Sequence, residues 1–394
     1  MSSDNFDVIV AGAGLVGACT ALALAGIGFR VAIVEAIAPR ESSNSSAGEY
    51  DLRVSAISPR SRSILQQLGV WQQLADERVC YYEQMHIWHQ HGRASVAFDA
   101  VDLARDNLGA IVENRLLQQT LHQACERESR IEWFMPDHVK NLLENHAEGI
   151  ELRLDSGRHL AAGLLIAADG RHSPTRVLAG IDAQVGQYQQ TAIVANVETE
   201  FPHRYTAWQR FLSTGPLAFL PLANGQSSIV WSCDDELATQ LAGVADDEFC
   251  DALGEAFEFK LGRISACSNR LSFPLTWHHC EHWVKDRVML IGDAAHSVHP
   301  LAGQGVNLGF SDVEIFAALV GDRLDSIPQK QLRRYERQRK SETWLAGNSF
   351  SALKWIYGLD QKWISQLRNL GMRVVDETPW VKRTLLKKAI HNLS

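Results

Sequence analysis

Three short motifs, spread along nearly the whole chain, combine glycines and carboxylates at spacings that suit close contact between backbone and a ligand. The first is Gly12-Ala13-Gly14-Leu15-Val16-Gly17, which follows the apolar run from Phe6 to Ala11. In such a motif Gly12 permits a tight turn, Gly14 lets the backbone approach a pyrophosphate, and Gly17 lets a helix pack closely on the strand. The phosphates then lie at a helix N-terminus, where free N–H groups favour an anion. This motif therefore predicts a dinucleotide site.

An acidic residue completes the unit that the first motif begins. Small residues from Ala18 to Gly26 predict a helix and Phe29 to Glu35 predicts a second strand, so residues 6–36 form a βαβ unit. Glu35 comes 18 residues after Gly17, where a carboxylate can accept hydrogen bonds from a ribose diol. A carboxylate at this place favours an unphosphorylated ribose, and therefore NAD or FAD rather than NADP.

Glycine and aspartate recur near the other end of the chain, in Gly292-Asp293, after the apolar run from Val288 to Ile291. A carboxylate at a strand end can bind the hydroxyls of a sugar-like chain, here the ribityl chain of a flavin. Gly303-Gln304-Gly305-Val306-Asn307 then opens a helix whose N–H groups can face a carbonyl that becomes anionic on reduction, as in a flavin. Pro300 would cover one face of the ring. A ligand contacted from both ends of a chain implies a large cofactor in a discontinuous domain, which points to FAD.

The motif in the middle of the chain is Asp169-Gly170, which follows the apolar run from Leu164 to Ala168. Ser173 and Arg176 come next, so the pattern is Asp-Gly-x-x-Ser-x-x-Arg. By itself this pattern predicts a turn followed by a capped helix. Taken together with the other two motifs, this pattern becomes specific, and it narrows the type of FAD-dependent enzyme.

Composition limits the class of protein. A chain of 394 residues is long enough for two domains, and its 46% hydrophobic and 21% charged residues are ordinary for a globular enzyme. No apolar run approaches about 18 residues and the N-terminus lacks a signal pattern, so we expect no transmembrane helix and no secretion. Seven cysteines without a CxxC pair predict no disulfide framework, no metal site and a reducing, cytoplasmic compartment.

Charge is distributed unevenly along the chain. From Gln331 to Ser394 there are 13 Lys and Arg against 5 Asp and Glu, a balance of +8, although the whole chain carries −8. The other 330 residues therefore carry −16, which argues against a nucleic acid as partner. Apolar residues at helical spacing around Trp363 and Leu385 lie beside the basic residues Lys382, Arg383, Lys387 and Lys388. This pattern predicts that the tail docks at the inner face of an anionic membrane, or that it packs against the body of the protein.

The motifs together resemble those of the flavoprotein aromatic hydroxylases of the para-hydroxybenzoate hydroxylase superfamily. Within it, the chain is similar to the ubiquinone-biosynthesis ring hydroxylases in four segments, which are Arg53-Val54-Ser55-Ala56-Ile57, Val112-Glu113-Asn114, Ala218-Phe219-Leu220-Pro221-Leu222 and Gly292 through Gly309. The likeness runs from about residue 6 to residue 390, so it covers nearly the whole chain.

We expect an α/β fold with a discontinuous Rossmann-like FAD-binding domain, an inserted β-sheet substrate domain and a helical C-terminal tail. The predicted FAD-binding domain comprises residues 1–75, 110–180 and 281–345. The predicted substrate domain comprises residues 76–109 and 181–280, and the helical C-terminal region spans 346–394.

The resemblance implies roles for single residues. Arg53 would lie along the flavin and its phosphates, and Glu113 would lie near the ribityl chain, whose hydroxyls Asp293 would bind. Asp169 and Gly170 are linked in such enzymes to the binding of both FAD and a nicotinamide cofactor. The residues around the pyrimidine edge of the flavin would be Gly303, Gln304, Gly305, Val306 and Asn307.

The implied reaction is hydroxylation of an aromatic ring, in which reduced FAD takes up O₂ at C4a and the hydroperoxide delivers oxygen to an electron-rich phenol. The implied substrate is a polyprenylated phenol or quinol in ubiquinone biosynthesis, with a biosynthetic complex and the membrane as further partners. NAD(P)H or a protein would supply electrons, since the sequence shows no second nucleotide-binding βαβ unit. Three alternatives stay open: a small soluble aromatic acid as substrate, a flavin reductase or dehydrogenase acting on an isoprenoid, and a non-catalytic FAD-bound scaffold.

Overall fold

The computed structural model describes residues 4–38, 49–74, 76–90, 94–146, 148–297, 305–321 and 327–358, together with 378, 380 and 382–384. In chain order the strands are β1 (Asp4–Ala11), β2 (Val31–Val34), β3 (Val54–Ile57), β4 (Cys80–Tyr82), β5 (Gln84–His89), β6 (Ser95–Asp99), β7 (Gly109–Glu113), β8 (Ile131–Phe134), β9 (Val139–Asn145), β10 (Ile150–Leu154), β11 (His159–Ala167), β12 (Ala183–Thr199), β13 (Thr206–Leu212), β14 (Gly215–Pro221), β15 (Ser227–Asp234), β16 (Ile264–Cys267), β17 (Leu271–Cys280), β18 (Val284–Lys285), β19 (Val288–Leu290) and β20 (His296–Ser297). The α-helices are α1 (Leu15–Gly26), α2 (Pro59–Gln67), α3 (Asn114–Arg127), α4 (Pro174–Leu178), α5 (Asp235–Gly243), α6 (Asp246–Ala256), α7 (Gly305–Val320) and α8 (Gln329–Gly358).

The parallel sheet brings the three motifs together. Its central strands lie in the order β19-β11-β1-β2-β8 and run parallel, while β18, β10 and β9 pair antiparallel with it. In the register, Ala11 pairs with Ala167 and with Val34, and Ala167 pairs with Leu290. The carboxyl ends of β19, β11, β1 and β2 therefore meet at one edge. Ligands of open α/β sheets bind at that kind of edge.

Burial explains why these strands form a parallel sheet. Val8, Ile9 and Val10 of β1 are fully buried, as is expected where helices cover both faces. The helices α1 and α7 pack closely because Gly309 lacks a side chain: a Cβ there would lie 2.4 Å from a methyl group of Val16. α8 packs on α7, with Tyr335 buried. The predicted βαβ unit of residues 6–36 is confirmed.

The antiparallel sheet forms the second half of the molecule. Its strands follow the order β20-β17-β12-β15-β14-β13-β5-β6, with β16 on β12, and its one parallel pair among the described strands is β13 with β5. One face packs under α6 through an aromatic core that includes Trp231, Phe249 and the stacked pair Phe219 and Phe257. A small sheet of β3, β7 and β4 lies beside it. The segment from Gly292 to Ser297 joins the parallel sheet to β20, so it links the two halves.

One of these elements, β17, differs from what the sequence pattern predicts, and α8 shows how far the C-terminal helix extends. β17 was not predicted, because Pro274 and polar residues interrupt its apolar pattern; a register shift in β12 between Gln187 and Thr191 lets Pro274 remain in the sheet. α8 runs from Gln329 to Gly358 and so extends into the predicted helical C-terminal region, since the chain has no proline or glycine between Gln329 and Gly347 to end it.

The basic tail is only partly described. Trp363, Leu385, Lys387 and Lys388 lie outside the described residues, whereas Lys382 and Arg383 belong to a short helical segment. The Lys382 ammonium lies 3.9 Å from the Asp102 carboxylate, so this part of the tail contacts the body. Within the described part of the chain, no helix combines the length and the apolar character needed to cross a bilayer.

Candidate active site

A cavity of about 450 Å³ lies between the carboxyl edge of the parallel sheet and one face of the antiparallel sheet. This volume is typical of small-molecule sites, which range over roughly 300–1,000 Å³. Six residues predicted from the sequence lie on its wall: Gly14, Arg53, Gly170, Asp293, Gly305 and Val306. The cavity thus joins residues from all three motifs.

The three motif glycines next to β1 have different surroundings. Gly12 has φ of +99°, and a Cβ there would lie 2.6 Å from the Ala168 carbonyl oxygen. A Cβ on Gly17 would lie 2.0 Å from the Gly12 carbonyl oxygen. At Gly14 a Cβ would meet nothing within 4 Å, because this residue faces the cavity at the N-cap of α1, where no side chain caps the helix. Gly12 and Gly17 therefore shape the turn, and Gly14 leaves an anion-binding helix end open.

Glu35 lies against the glycine loop. One carboxylate oxygen accepts a 2.6 Å hydrogen bond from the Ala13 N–H, and the other accepts a 3.0 Å bond from the Ile37 N–H. These bonds hold the carboxylate at the end of β2, beside the N-terminus of α1. That position suits the ribose contact predicted for Glu35, which remains a proposal.

Asp293 presents its carboxylate to the cavity. The side chain is accessible from the cavity but is otherwise surrounded by protein, and this burial raises the pKa of Asp293 above its usual value. The positive groups of His296, Arg171 and Arg53 act in the opposite direction and lower that pKa in part. An acceptor placed on the wall in this way suits hydroxyl groups of a ligand.

A fully buried carboxylate that the sequence did not point to, Asp312 of α7, supports the Gly292–Asp293 turn. One of its oxygens accepts from the Gly292 N–H at 2.9 Å and from His296 Nε2 at 2.8 Å, and the other accepts from Arg339 Nε at 2.6 Å. Burial by itself would raise the pKa of Asp312, but His296 and Arg339 outweigh it and lower that pKa. Gly292 itself has φ of +59°. α7 and α8 together therefore hold the turn that carries Asp293.

His296 has a supporting place in this network. Its ring stacks on Trp283 with centroids 4.9 Å apart, and its Nε2 is bonded to Asp312. The ring also lines the cavity. Arg339 extends the network to the Glu342 carboxylate and to the Leu308 carbonyl.

The Asp169-Gly170 motif forms the predicted turn and capped helix. Asp169 accepts from the Thr175 N–H at 3.0 Å, and Ser173 caps α4 by accepting from the Arg176 N–H at 2.9 Å. The second carboxylate oxygen of Asp169 is buried and has no hydrogen-bond partner within the described part of the chain. Gly170 has φ of +81° and reaches the cavity wall.

Arg171 follows this motif and links the two halves across the cavity. Its guanidinium donates to the Thr276 hydroxyl of β17, and both residues line the cavity. The sequence placed Arg171 inside a specific motif but carried no signal for the contact with Thr276, which lies 105 residues away.

Glu113 and Asn307 both anchor neighbouring loops, and their predicted place beside the flavin stays a prediction. The Glu113 carboxylate pairs with Arg78 through two 2.7 Å hydrogen bonds and accepts a 2.6 Å bond from the Asp51 N–H, so it anchors the segment that carries Arg53 and does not line the cavity. Both are buried. Asn307 accepts from the Ser58 N–H at 2.9 Å and donates to the Ala56 carbonyl at 2.8 Å, which ties α7 to the loop between β3 and α2.

Three predicted residues of the ring-side loop, Pro300, Gly303 and Gln304, lie outside the described residues. Gly305 and Val306 begin α7 and lie on the cavity wall, so the N-terminal end of this helix opens toward the cavity. Asn114 and Gln118 of α3 also line it. Neither had been predicted as a site residue, although Asn114 closes the segment Val112-Glu113-Asn114.

The antiparallel sheet supplies the opposite wall, which is mostly apolar. Its lining residues come from β12, β15 and β17 and are Val194, Ser228, Val230, Phe273, Leu275 and Thr276. Side chains two residues apart on a strand share a face, which explains how Ser228 and Val230 reach the cavity together. Such alternation is common in any sheet, so the sequence offered no way to identify this wall.

The residues on the cavity wall fit FAD. Two helix N-termini, those of α1 and α7, open toward the cavity and suit a pyrophosphate and a carbonyl that gains charge. A carboxylate at Asp293 suits ribityl hydroxyls, and the uncapped, unobstructed Gly14 suits close approach of the pyrophosphate.

Known proteins match this chain over nearly its full length. Residues 5–347 match the family described as FAD binding domain. The 3-demethoxyubiquinol 3-hydroxylase of Escherichia coli (strain K12) is 33% identical over 99% of this chain and 100% of its own length. The human ubiquinone biosynthesis monooxygenase COQ6, mitochondrial, is 32% identical over 97% of this chain and 92% of its own.

Solved structures share the fold. The p-nitrophenol 4-monooxygenase PnpA from Pseudomonas putida DLL-E4 superposes with a TM-score of 0.79 at 18% identity, covering 99% of this chain and 98% of its own. The fold class and the family resemblance predicted from the sequence are confirmed. The chain therefore belongs to the FAD-binding-domain family and is an FAD-dependent monooxygenase.

Proposed function

We propose that this enzyme hydroxylates the aromatic ring of a polyprenylated phenol or quinol intermediate of ubiquinone biosynthesis. The observation that carries the proposal is the full-length similarity to a 3-demethoxyubiquinol 3-hydroxylase and to a ubiquinone biosynthesis monooxygenase, at 33% and 32% identity. This similarity extends through the antiparallel sheet, which supplies the apolar wall of the cavity. Substrates would be O₂ and the prenylated ring.

The chain's own residues would hold the cofactor from one side. We assign the pyrophosphate to Gly14 and the N-terminus of α1, the ribose to Glu35, the ribityl hydroxyls to Asp293, and the pyrimidine edge to Gly305 and Val306. Arg53, exposed on the cavity wall, would contact the phosphates or the flavin. When bound, FAD supplies the activation of O₂ and the transfer of one oxygen atom.

The opposite wall would hold the substrate ring and exclude water. Val194, Val230, Phe273 and Leu275 give this wall an apolar surface. An apolar wall suits an aromatic ring with a prenyl substituent, and excluding water protects a reactive oxygen species from side reactions. Arg171 and Thr276 would close one side of the site through their mutual hydrogen bond.

Purified enzyme loaded with FAD tests this function directly. With a short-chain prenylated phenol, a reductant and ¹⁸O₂, the expected product carries one ¹⁸O on the ring by mass spectrometry. In a strain that lacks the protein, the unhydroxylated intermediate should accumulate. Turnover of a small aromatic acid alone, reduction or desaturation of the prenyl chain, or FAD binding without turnover would each contradict the proposal and favour one alternative.

The reductant would be NAD(P)H, bound transiently, or a protein donor. Supplying NADH and NADPH separately to the FAD-loaded enzyme, and measuring flavin reduction anaerobically with and without the phenol, distinguishes these donors. Reduction by neither nucleotide would favour a protein donor.

We further propose that the basic tail docks the enzyme on an anionic membrane. The support is the +8 balance after residue 331 and Trp380, whose side chain is 72% exposed beside the exposed Arg383. Each Lys or Arg near an anionic surface contributes at most about 1 kcal/mol, and salt screens it. An amphipathic Trp suits the headgroup region.

Vesicle co-sedimentation tests this docking. Vesicles with anionic lipid should retain the wild type at low salt, while glutamate at Lys382, Arg383, Lys387 and Lys388 should release it. A control with glutamate at the exposed Arg130, Lys140, Arg153 and Arg158 changes total charge equally and should lose much less binding. Equal sedimentation of all three, with FAD retained, would refute electrostatic docking and favour delivery of the lipid by a partner protein.

A further inference from the structure

Two buried polar atoms on neighbouring strands have no hydrogen-bond partner among the residues that the structure describes. They are the hydroxyl oxygen of Ser228 on β15 and the side-chain oxygen of Asn196 on β12. The two residues pair directly across the antiparallel ladder, and their exposed fractions are 0% and 5%. Directly opposed side chains have Cβ atoms about 4.5–5.5 Å apart, so the two oxygens belong to one polar spot.

This spot lies on the face of the antiparallel sheet that turns toward the cavity. Ser228 lines the cavity together with Val230, two residues further on the same strand, and with Val194, the cross-strand partner of Val230. Ile229 belongs to the opposite face and packs in the aromatic core under α6. In an otherwise apolar wall, Ser228 is thus a buried hydroxyl at the place proposed for the substrate.

Asn196 has a fixed orientation. Its amide nitrogen donates to the Tyr50 carbonyl at 3.1 Å and lies 3.4 Å from the Asp51 carbonyl, and its backbone N–H donates to the Ser268 hydroxyl at 2.9 Å. The side-chain oxygen is then left as an acceptor, while the Ser228 hydroxyl can donate or accept. Together they match a group that both donates and accepts one hydrogen bond, which is the chemistry of a phenolic hydroxyl.

We propose that Ser228, supported by Asn196, binds the ring hydroxyl of the phenolic substrate and so selects free phenols over their ethers. The proposal rests on the proposed function and adds the group that the enzyme recognises. Buried polar atoms in native proteins almost always have a hydrogen-bond partner. We therefore expect a bound ligand to supply the partner of these two oxygens. Holding the hydroxyl would also fix the orientation of the ring in its plane.

The chain offers a matched control at the adjacent position. Ser227 is equally buried and its hydroxyl is equally without a partner, but it points to the face opposite Ser228 and does not line the cavity. Ser228→Ala and Ser227→Ala therefore remove the same group from the two faces of one strand. FAD content and thermal unfolding of both variants show whether they remain folded.

The probes are 2-geranylphenol and its O-methyl ether, titrated anaerobically into FAD-loaded enzyme with the flavin absorbance as readout. Wild type and Ser227→Ala should bind the phenol more tightly than the ether. Ser228→Ala should weaken binding of the phenol roughly 3- to 10-fold and leave binding of the ether unchanged. The KM for the phenol should rise by the same factor.

Two results would overturn the inference: wild type binding both probes equally, or Ser228→Ala preferring the phenol as strongly as wild type does. The second result would mean that an ordered water, not the substrate, completes the hydroxyl. Failure of the proposed function has a different signature. In that case wild type discriminates between the probes by binding but incorporates no ¹⁸O into the phenol.

Discussion

The two walls of the cavity are built on different principles. On the parallel-sheet side, backbone geometry dominates: Gly12 and Gly17 cannot carry a side chain, and Gly292 is held by the buried Asp312 carboxylate. On the antiparallel-sheet side, side chains from alternate strand positions form the wall, and Ser228 and Asn196 keep polar atoms without partners. The Gly292 turn on the first side thus has its hydrogen bonds within the protein, although one oxygen of Asp169 has no partner among the described residues, whereas the polar atoms on the second wall belong to side chains alone.

This difference is the one expected from the ligands that we propose for each side. A pyrophosphate and a flavin carbonyl are bound by backbone N–H groups, which need close approach and therefore glycines at set intervals. A variable aromatic substrate is bound by shape and by a few polar contacts, which many residues could supply. Backbone constraints leave a sequence signature, whereas an apolar wall does not.

The largest expected effect comes from the glycine loop. Gly17→Val should destabilise the protein by at least ~3 kcal/mol, because a Cβ would lie 2.0 Å from the Gly12 carbonyl oxygen. Gly14→Val should fold normally and lose FAD, since its side chain would enter only the cavity. Thermal unfolding of the apoproteins and FAD content after denaturation measure the two effects. FAD retained by a folded Gly14→Val would contradict the pyrophosphate assignment.

Asp312→Ala should lower the free energy of unfolding by roughly 3–5 kcal/mol, because it leaves the Gly292 N–H and the Nε of the buried Arg339 guanidinium without an acceptor. The pKa of Asp312 is lowered in the folded protein, so its contribution is complete above the unfolded value of about 3.9 and is lost as the pH falls below it. The free energy of unfolding, measured with urea between pH 3 and 7, should therefore fall less toward acid pH in the variant than in the wild type.

The matched control for this experiment is Glu342→Ala, which removes the other carboxylate of Arg339. That carboxylate is 35% exposed, so its removal should cost well under half as much. Equal destabilisation by the two variants would mean that the turn does not depend on Asp312.

Asp293→Ala should weaken FAD binding by roughly 1–3 kcal/mol without changing the stability of the apoprotein, because its carboxylate faces the cavity and not the core. Asp293→Asn keeps an acceptor and should lose less. Fluorescence titration of apoprotein with FAD measures both. Unchanged affinity in the alanine variant would show that the carboxylate does not contact the ribityl chain.

The smallest effect concerns the apolar wall. Val230→Ala removes two carbon atoms from it and should raise the KM for a prenylated phenol about fivefold, for a loss of about 1 kcal/mol. The Kd of FAD should stay unchanged. A parallel loss of FAD affinity would mean that this wall contacts the flavin and would remove the distinction between the two sides.

Much of the cofactor side could be predicted from the sequence because its signals are local. Gly12, Gly14 and Gly17 stand at fixed offsets from a strand, and Asp293 directly follows another. The same reasoning predicts Glu113 and Asn307 beside the flavin, and the structure adds that both anchor neighbouring loops. A buried polar side chain that holds a loop and one that binds a ligand have the same residue types, so sequence alone does not separate them.

The sequence by itself determined the βαβ unit, the three motifs and the family, because glycine conformation and strand-end carboxylates depend on positions close in the chain. The tertiary structure decided that those motifs lie together at one site. Only the strand order β19-β11-β1 brings Asp293, Gly170 and Gly14 to one edge, and only the pairing of β12, β15 and β17 places Ser228 opposite them. Such contacts join residues that are far apart in the chain, and their energy comes from packing that no local pattern records.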